Sequence, residues 1–164
     1  MSSQDGPEIW SLRSAAQDDC RMFWEWANDP AVRAMSFHTD PIPWEEHQRW
    51  FAGRLAAATS RLYVLGSSLG HSAGQIRFDE RDPGVLEVDV TVAPRWRGGG
   101  LGRMLLAEGE RALLRDFQVP RVLVAHIKTE NHASLALFRG ARFQLVRELQ
   151  DVGATHAYVL QKQL

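Results

Sequence analysis

Cysteine is nearly missing from this chain: Cys20 is the only one in 164 residues. An intramolecular disulfide and a cysteine-cluster metal site are therefore excluded. The six histidines lack HxxxH-type spacing, so no metal site is expected from them. Neither sign of charge is in excess, with 19 Lys plus Arg against 20 Asp plus Glu and a formal net charge of -1. No global basic field exists to hold nucleic acid, although a local basic patch remains open. No segment approaches the ~18 consecutive apolar residues of a membrane span. The first ten residues, MSSQDGPEIW, lack the basic start and apolar run of a signal peptide. A soluble, cytoplasmic protein is the expectation. What is present is ordinary globular material, 45% hydrophobic and 24% charged, with no repeats or low-complexity tracts. At ~150 residues per domain the length fits one domain spanning 1–164. Such a chain buries roughly 70% of its unfolded surface. Residues 1–6 are polar and expected to fray.

Periodicity divides the chain into alternating elements. Ile9, Trp10 and Leu12 mark a first strand. From Gln17 to Trp26 the residues Met22, Phe23 and Trp26 fall on one helical face, with Asp18 and Asp19 at the favourable N-terminal end. Asn28-Asp29-Pro30 ends that helix, and 31–42 read as a loop. A second helix is predicted from Trp44 to Ala58, with Pro43 in its first turn and His47, Trp50, Phe51 and Leu55 on its apolar side. Leu62–Leu65 and Gly74–Phe78 form a predicted hairpin. Val85 to Val92 alternates: Leu86, Val88, Val90 and Val92 point one way, Glu87, Asp89 and Thr91 the other. A helix follows with Leu101, Met104, Leu105, Ala112 and Leu113 as its buried stripe. After Pro120 come a strand over Arg121–Ile127, a helix from His132 to Arg139, and strands at Phe143–Leu149 and His156–Gln161. This order defines a mixed α/β domain rather than a regular βαβ array.

The segment richest in chemistry is Val92-Ala93-Pro94-Arg95-Trp96-Arg97-Gly98-Gly99-Gly100-Leu101-Gly102-Arg103. A strand ends, an arginine-rich turn follows, and glycines open a helix. A helix start presents free backbone N–H groups to an anion. Glycines let a pyrophosphate approach the backbone without Cβ clashes, and Arg95, Arg97 and Arg103 add charge for phosphates. The P-loop is excluded because its Gly-Lys-Ser/Thr ending is missing. The GxGxxG fingerprint is excluded because Arg103 stands at its third glycine.

These residues resemble the GNAT acetyltransferase superfamily. Arg97-x-x-Gly100-x-Gly102 is similar to its motif A, Gln/Arg-x-x-Gly-x-Gly/Ala, with Val92 and Pro94 matching its strand end. Asn131-x-x-Ser134-x-x-Leu137-Phe138 resembles the second motif, and the element order matches over nearly the whole chain. The resemblance implies a mostly antiparallel mixed sheet splayed between strands four and five, flanked by about four helices. It implies acetyl-CoA as cofactor. Gly98, Gly99, Gly100, Leu101, Gly102 and Arg103 would wrap the pyrophosphate, and the backbone of Val90, Thr91 and Val92 would pair with the pantetheine arm. Asn131, with Ser134 and Phe138 of the same motif, would contact the cofactor. A substrate amine would attack the thioester directly, after a base removes its proton. In several members a glutamate five residues before the motif asparagine does this; here the position holds His126, with Glu87 and Asp89 as rivals. Two departures stand out. Phe138 replaces the family's acidic tyrosine, and Arg142 replaces the glycine before Phe143.

The acceptor is read from the first two helices. Asn28-Asp29-x-x-Val32-Arg33, then Ile42, His47, Trp50 and Phe51, resembles the GNAT subgroup that acetylates nucleotide-linked amino sugars on routes to pseudaminic and legionaminic acids. That resemblance implies transfer to the 4-amino group of a UDP- or CMP-linked deoxyhexose. Arg33 and His47 would meet the second pyrophosphate, and Trp50 a ring face. Ribosomal-protein N-terminal acetylation, another small amine, and a non-catalytic acetyl-CoA-binding module stay open as alternatives. A peptide would favour Glu45, Glu46, Glu87 and Asp89 along the cleft. No nucleic acid, membrane or metal is called for, and a homodimer is left open.

Overall fold

The computed structural model describes residues 7–116, 121–150 and 155–164. The expectations for residues 1–6 and Pro120 lie outside the described residues. The elements run β1 (Trp10–Ser14), a 3₁₀ turn (Gln17–Asp19), α1 (Cys20–Ala27), α2 (Pro30–Met35), α3 (Trp44–Ala56), β2 (Ser60–Ser67), β3 (Ser72–Asp82) and β4 (Val85–Val92). A second 3₁₀ turn (Pro94–Trp96) leads to α4 (Leu101–Asp116), β5 (Val122–Lys128), α5 (His132–Gly140), β6 (Gln144–Gln150) and β7 (His156–Gln163).

The strands form one sheet in the order β1-β2-β3-β4-β5-β7-β6. Every neighbouring pair is antiparallel except β4 and β5, which run parallel. Side chains alternate across this sheet, and each face has its own core. On one face Tyr63, Leu65, Ile76, Phe78, Leu86 and Leu123 pack against Leu105, Leu106 and Leu113 of α4 and Phe138 of α5. On the other, Leu62 and Val64 pack against Phe23 and Trp26 of α1 and Phe51 of α3. Phe51 and Phe78 are fully buried, and each such side chain contributes roughly 1.5–3 kcal/mol. Helix α4 lies close on the sheet: a Cβ at Gly109 would come within 2.7 Å of Ile76 Cδ1.

Three expectations are corrected. Residues 31–42 are not all loop, since Pro30–Met35 forms α2 and raises the α-helix count to five. The tripeptide that stops α1 also starts α2. The Asp29 side chain accepts from Val32 N at 3.4 Å, and Pro30 occupies the first turn where no N–H is needed. Met104 does not belong to the buried stripe of α4 and is 38% exposed, while Leu106 and Gly109 face the sheet instead. Helix α3 stops at Ala56 rather than Ala58. The predicted alternation of β4 holds, with Leu86 and Val88 buried and Val90 and Val92 half-buried where the neighbouring strand departs.

Candidate active site

The parallel pairing of β4 with β5 lasts for three residue pairs, Val85–Val122, Leu86–Leu123 and Glu87–Val124, and then stops. Beyond Glu87 the two strands part. On the side facing β5, the β4 backbone from Val88 to Val92 has no strand partner, although its other edge stays paired with β3. A polar strand edge left open inside a sheet accepts an extended amide-bearing ligand as an added strand. A cleft of about 1380 Å³ occupies the fork and is lined by Val90, Thr91, Val92, Asn131, Ser134 and Phe138, among others.

At the open end lies the glycine turn. Gly98 and Gly100 adopt φ of +79° and +82°, a left-handed conformation that side-chain-bearing residues avoid. A Cβ on either would meet nothing within 4 Å, so this surface is open. The turn delivers the chain into α4, whose first N–H groups lack intrahelical partners. Leu101, Gly102 and Arg103 line the cleft there. The 16-residue helix dipole favours an anion at this end. These residues fit a pyrophosphate. The arginines differ in use: Arg103 lines the cleft, whereas Arg95 is stacked over Trp96 at 5.0 Å. Arg97 donates Nε–H to the Val92 carbonyl at 3.1 Å and Nη2–H to Asp29 at 2.9 Å.

The candidate proton acceptors sit where the strands diverge. Glu87 is the last residue of β4 paired with β5, and His126 lies two positions past its partner Val124 on the same face. His126 Nδ1 is 3.8 Å from Glu87 Oε1, and both side chains are one-third exposed. Arg81 holds the other carboxylate oxygen at 2.7 Å. Asp89 lies further along β4, half-exposed, accepting from Gln75 Nε2 at 2.7 Å with Arg77 4.0 Å away. On the far wall Asn131 caps α5, its side chain accepting from Ser134 N at 3.2 Å. Phe138 is 4% exposed and packed edge-on against Phe143, with ring centroids 5.0 Å apart. Neither tyrosine lines the cleft. Tyr63 is bound to Asp116, and burial beside that carboxylate pushes its pKa up to about 12.

On the acceptor side Arg33 and His47 both line the cleft, and both also bond main chain. His47 is 2% exposed, lies among Trp44, Trp50 and Phe51, and donates Nε2–H to the Cys20 carbonyl at 2.9 Å. Its Nε2–H is thus spent on the backbone. Arg33 gives Nε–H to the Ala27 carbonyl at 2.6 Å, Nη1–H to the His38 carbonyl at 2.8 Å and Nη2–H to Ser36 Oγ at 2.9 Å. Those bonds tie the end of α1 to the segment between α2 and α3 and occupy most of the guanidinium donors. Trp50 lines the cleft as well, with the Arg77 guanidinium 5.0 Å over its ring. Gln75 and Arg77 were absent from the sequence expectations. They alternate with buried Ile76 and Phe78 on β3, and that alternation was the signal for a polar face turned toward the cleft. The carboxylates of Asp40, Glu46 and Glu130 also line it.

A parallel strand pair that splays over an anion-receptive glycine turn, with a carboxylate and an imidazole at the fork, fits an acyl-CoA-dependent transferase. The model of the acetyltransferase (GNAT) domain matches residues 11–144, and the chain belongs to this family, whose donor is acetyl-CoA. The N-alpha-acetyltransferase RimI of Mycobacterium tuberculosis is 35% identical over 101 residues, covering 59% of this chain and 61% of the relative. The match thus spans about three-fifths of that relative's length. The ribosomal-protein-alanine N-acetyltransferase of Brucella melitensis superposes with a TM-score of 0.79 at 28% identity, over 94% of this chain and 99% of its own. The spermidine N-acetyltransferase of Vibrio cholerae, solved with CoA and spermine, gives 0.81 at 18% identity, over 94% and 95%, and speaks for the fold alone. No α-helix among the described residues is long and apolar enough to cross a membrane.

Proposed function

We propose that this chain transfers the acetyl group of acetyl-CoA to a primary amine, and that its acceptor is the N-terminal α-amine of a protein or peptide. The observation that carries the reading is the Glu87–His126 pair at the point where β4 and β5 part. The donor supplies an activated thioester. The residues 98–103 bind its pyrophosphate, and the open β4 edge orients its arm. An ammonium ion has no lone pair, so His126 takes its proton, and the Glu87 carboxylate stabilises the resulting imidazolium. The amine nitrogen then forms the new C–N bond, the C–S bond breaks and the thiolate leaves, while the nitrogen gives up its second proton to water. With Phe138 in place of a tyrosine, the thiolate takes its proton from the imidazolium or from water. A thiol is a fair leaving group near neutral pH, with a pKa of ~8.5 for free cysteine.

The choice of amine follows from proton cost. An α-amine has a pKa of ~7.7–8.0 against ~10.4 for a lysine-type amine. Deprotonating it at pH 7 is easier by roughly two to three powers of ten, and an imidazole–carboxylate pair suffices. Carboxylates around the cleft, Glu46, Asp89 and Glu130 among them, suit a cationic acceptor. The likeness to RimI and to the Brucella enzyme supports the same choice. One observation favours a sugar nucleotide as the second reading: the Arg77–Trp50 stack in the cleft offers a cation and an aromatic face together.

The test is acetyl-CoA-dependent thiol release with an alanine-initiated peptide, spermidine and a UDP-linked 4-amino-4,6-dideoxyhexose. Release with the peptide is expected. Release with the sugar nucleotide alone overturns the peptide reading in favour of the second, and no release with any acceptor counts against transfer itself. Glu87→Gln and His126→Gln are each expected to lower kcat by about 10²-fold, with the KM for acetyl-CoA changed much less. An unchanged kcat and pH profile in both variants removes the pair from the chemistry.

A further inference from the structure

The segment between α1 and α3 roofs the acceptor side of the cleft, and side chains from both flanks hold it down. Asn28 exchanges two hydrogen bonds with the backbone of Ile42, at 3.0 and 2.8 Å. Lys128 of β5, 7% exposed, donates Nζ–H to the Ala34 carbonyl at 3.1 Å. Trp24 Nε1–H also bonds the Ile42 carbonyl at 2.7 Å. A further tie is of a different kind. Asp29 Oδ1 caps α2 and also accepts from Arg97 Nη2 at 2.9 Å. Arg97 in turn donates Nε–H to Val92, the last residue of β4, at 3.1 Å. Nε and Nη2 share one edge of a rigid planar group, so holding both partners fixes its orientation. One guanidinium therefore joins three parts: the open end of β4, the glycine turn and the first turn of α2.

We propose that Asp29 is a positioning residue that, through Arg97, couples the acceptor-side strap of residues 30–42 to the cofactor turn, so that seating CoA on the turn orders the strap. The proposal rests on the reading that residues 98–103 hold CoA. The coupling is reciprocal: what CoA does for the strap, an ordered strap does for CoA. A capping role alone would give Asp29 no such effect, and Asp29→Asn separates the two. Asparagine caps a helix as well as aspartate but carries no charge for Arg97.

The experiment is amide hydrogen–deuterium exchange on the full chain, with and without CoA. CoA is expected to slow exchange at 98–104 and, up to about fivefold, at 30–42, the range a partly exposed ion pair supports. In Asp29→Asn the slowing at 98–104 stays and the slowing at 30–42 is lost. Arg97→Gln does the same to the strap, and the double variant loses no more than either single one. Three results overturn the proposal: protection at 98–104 without any at 30–42, a strap that exchanges faster because Arg97 leaves Asp29 for a phosphate, or a full strap response in Asp29→Asn. Absence of slowing at 98–104 in the wild type overturns the CoA reading itself, and the two failures are thereby distinct.

Discussion

Burial keeps His47 neutral. Its ring sits in the aromatic cluster of α1 and α3, and desolvation there pushes its pKa below the ordinary 6.5, outweighing the hydrogen bond to the Cys20 carbonyl. The unfolded chain protonates this group near ~6.5, the folded chain only at lower pH. The contribution is therefore fully present above about 6.5 and is lost as pH falls from there toward the folded value. The melting temperature of the wild type is expected to fall as pH is lowered below about 6.5. His47→Gln keeps an N–H donor for Cys20 and does not titrate, so its melting curve should lose part of that slope. Equal slopes in the two proteins would show that His47 is not responsible. Arg33 makes a parallel case. Its charge remains, but burial lowers its pKa, and its N–H groups bind main chain that no local motif identifies.

The end of α5 shows an element adapting to a missing glycine. Phe143 N–H bonds the Phe138 carbonyl and Arg142 N–H the Arg139 carbonyl, both at 3.0 Å, while Arg142 takes a φ of +71°. That is the Schellman ending, with Phe138 and Phe143 in contact across it. The turn geometry that the family's glycine would provide is thus kept, with an arginine in the left-handed region at a cost of about 1 kcal/mol. Arg142→Gly relieves this cost but gains entropy in the unfolded chain, so a net stabilisation of about 0.5 kcal/mol is expected. Thermal unfolding should rise by about 1–2 °C, and Arg142→Ala should bring no gain. A fall in melting temperature with glycine would mean that the arginine side chain contributes more than its backbone costs.

The fork between β4 and β5 belongs to the whole molecule, because both strands are held from outside. β3 grips β4 along its length and β7 grips β5, while the two share three pairs. An inner edge left open in this way is stabilised by whatever completes it. Acetyl-CoA at about a hundred times its Kd is expected to add roughly 2.7 kcal/mol, or about 5–10 °C in the melting temperature at this chain length. Dephosphorylated or adenosine-truncated donors should give less, in proportion to the phosphate contacts they lack. No shift with acetyl-CoA would contradict the cleft as a cofactor site.

By itself the sequence determined what depends on neighbours in the chain. The alternation of Val85–Val92, the glycine turn and the start of α4 were all legible, since backbone conformation and helix-end chemistry are local properties. The family resemblance came from those same short segments, and the family match over residues 11–144 agrees with it. Tertiary structure decided the rest. Glu87 and His126 lie 39 positions apart and meet only through the register of a parallel pair that ends beside them. Arg33 and His47 look available in the sequence, yet whether a donor faces substrate or main chain depends on how the chain folds over it. The Asp29–Arg97 tie spans 68 positions, and no periodicity encodes it. Local patterns specify elements, whereas the occupation of each polar group is settled by which elements the two cores bring together.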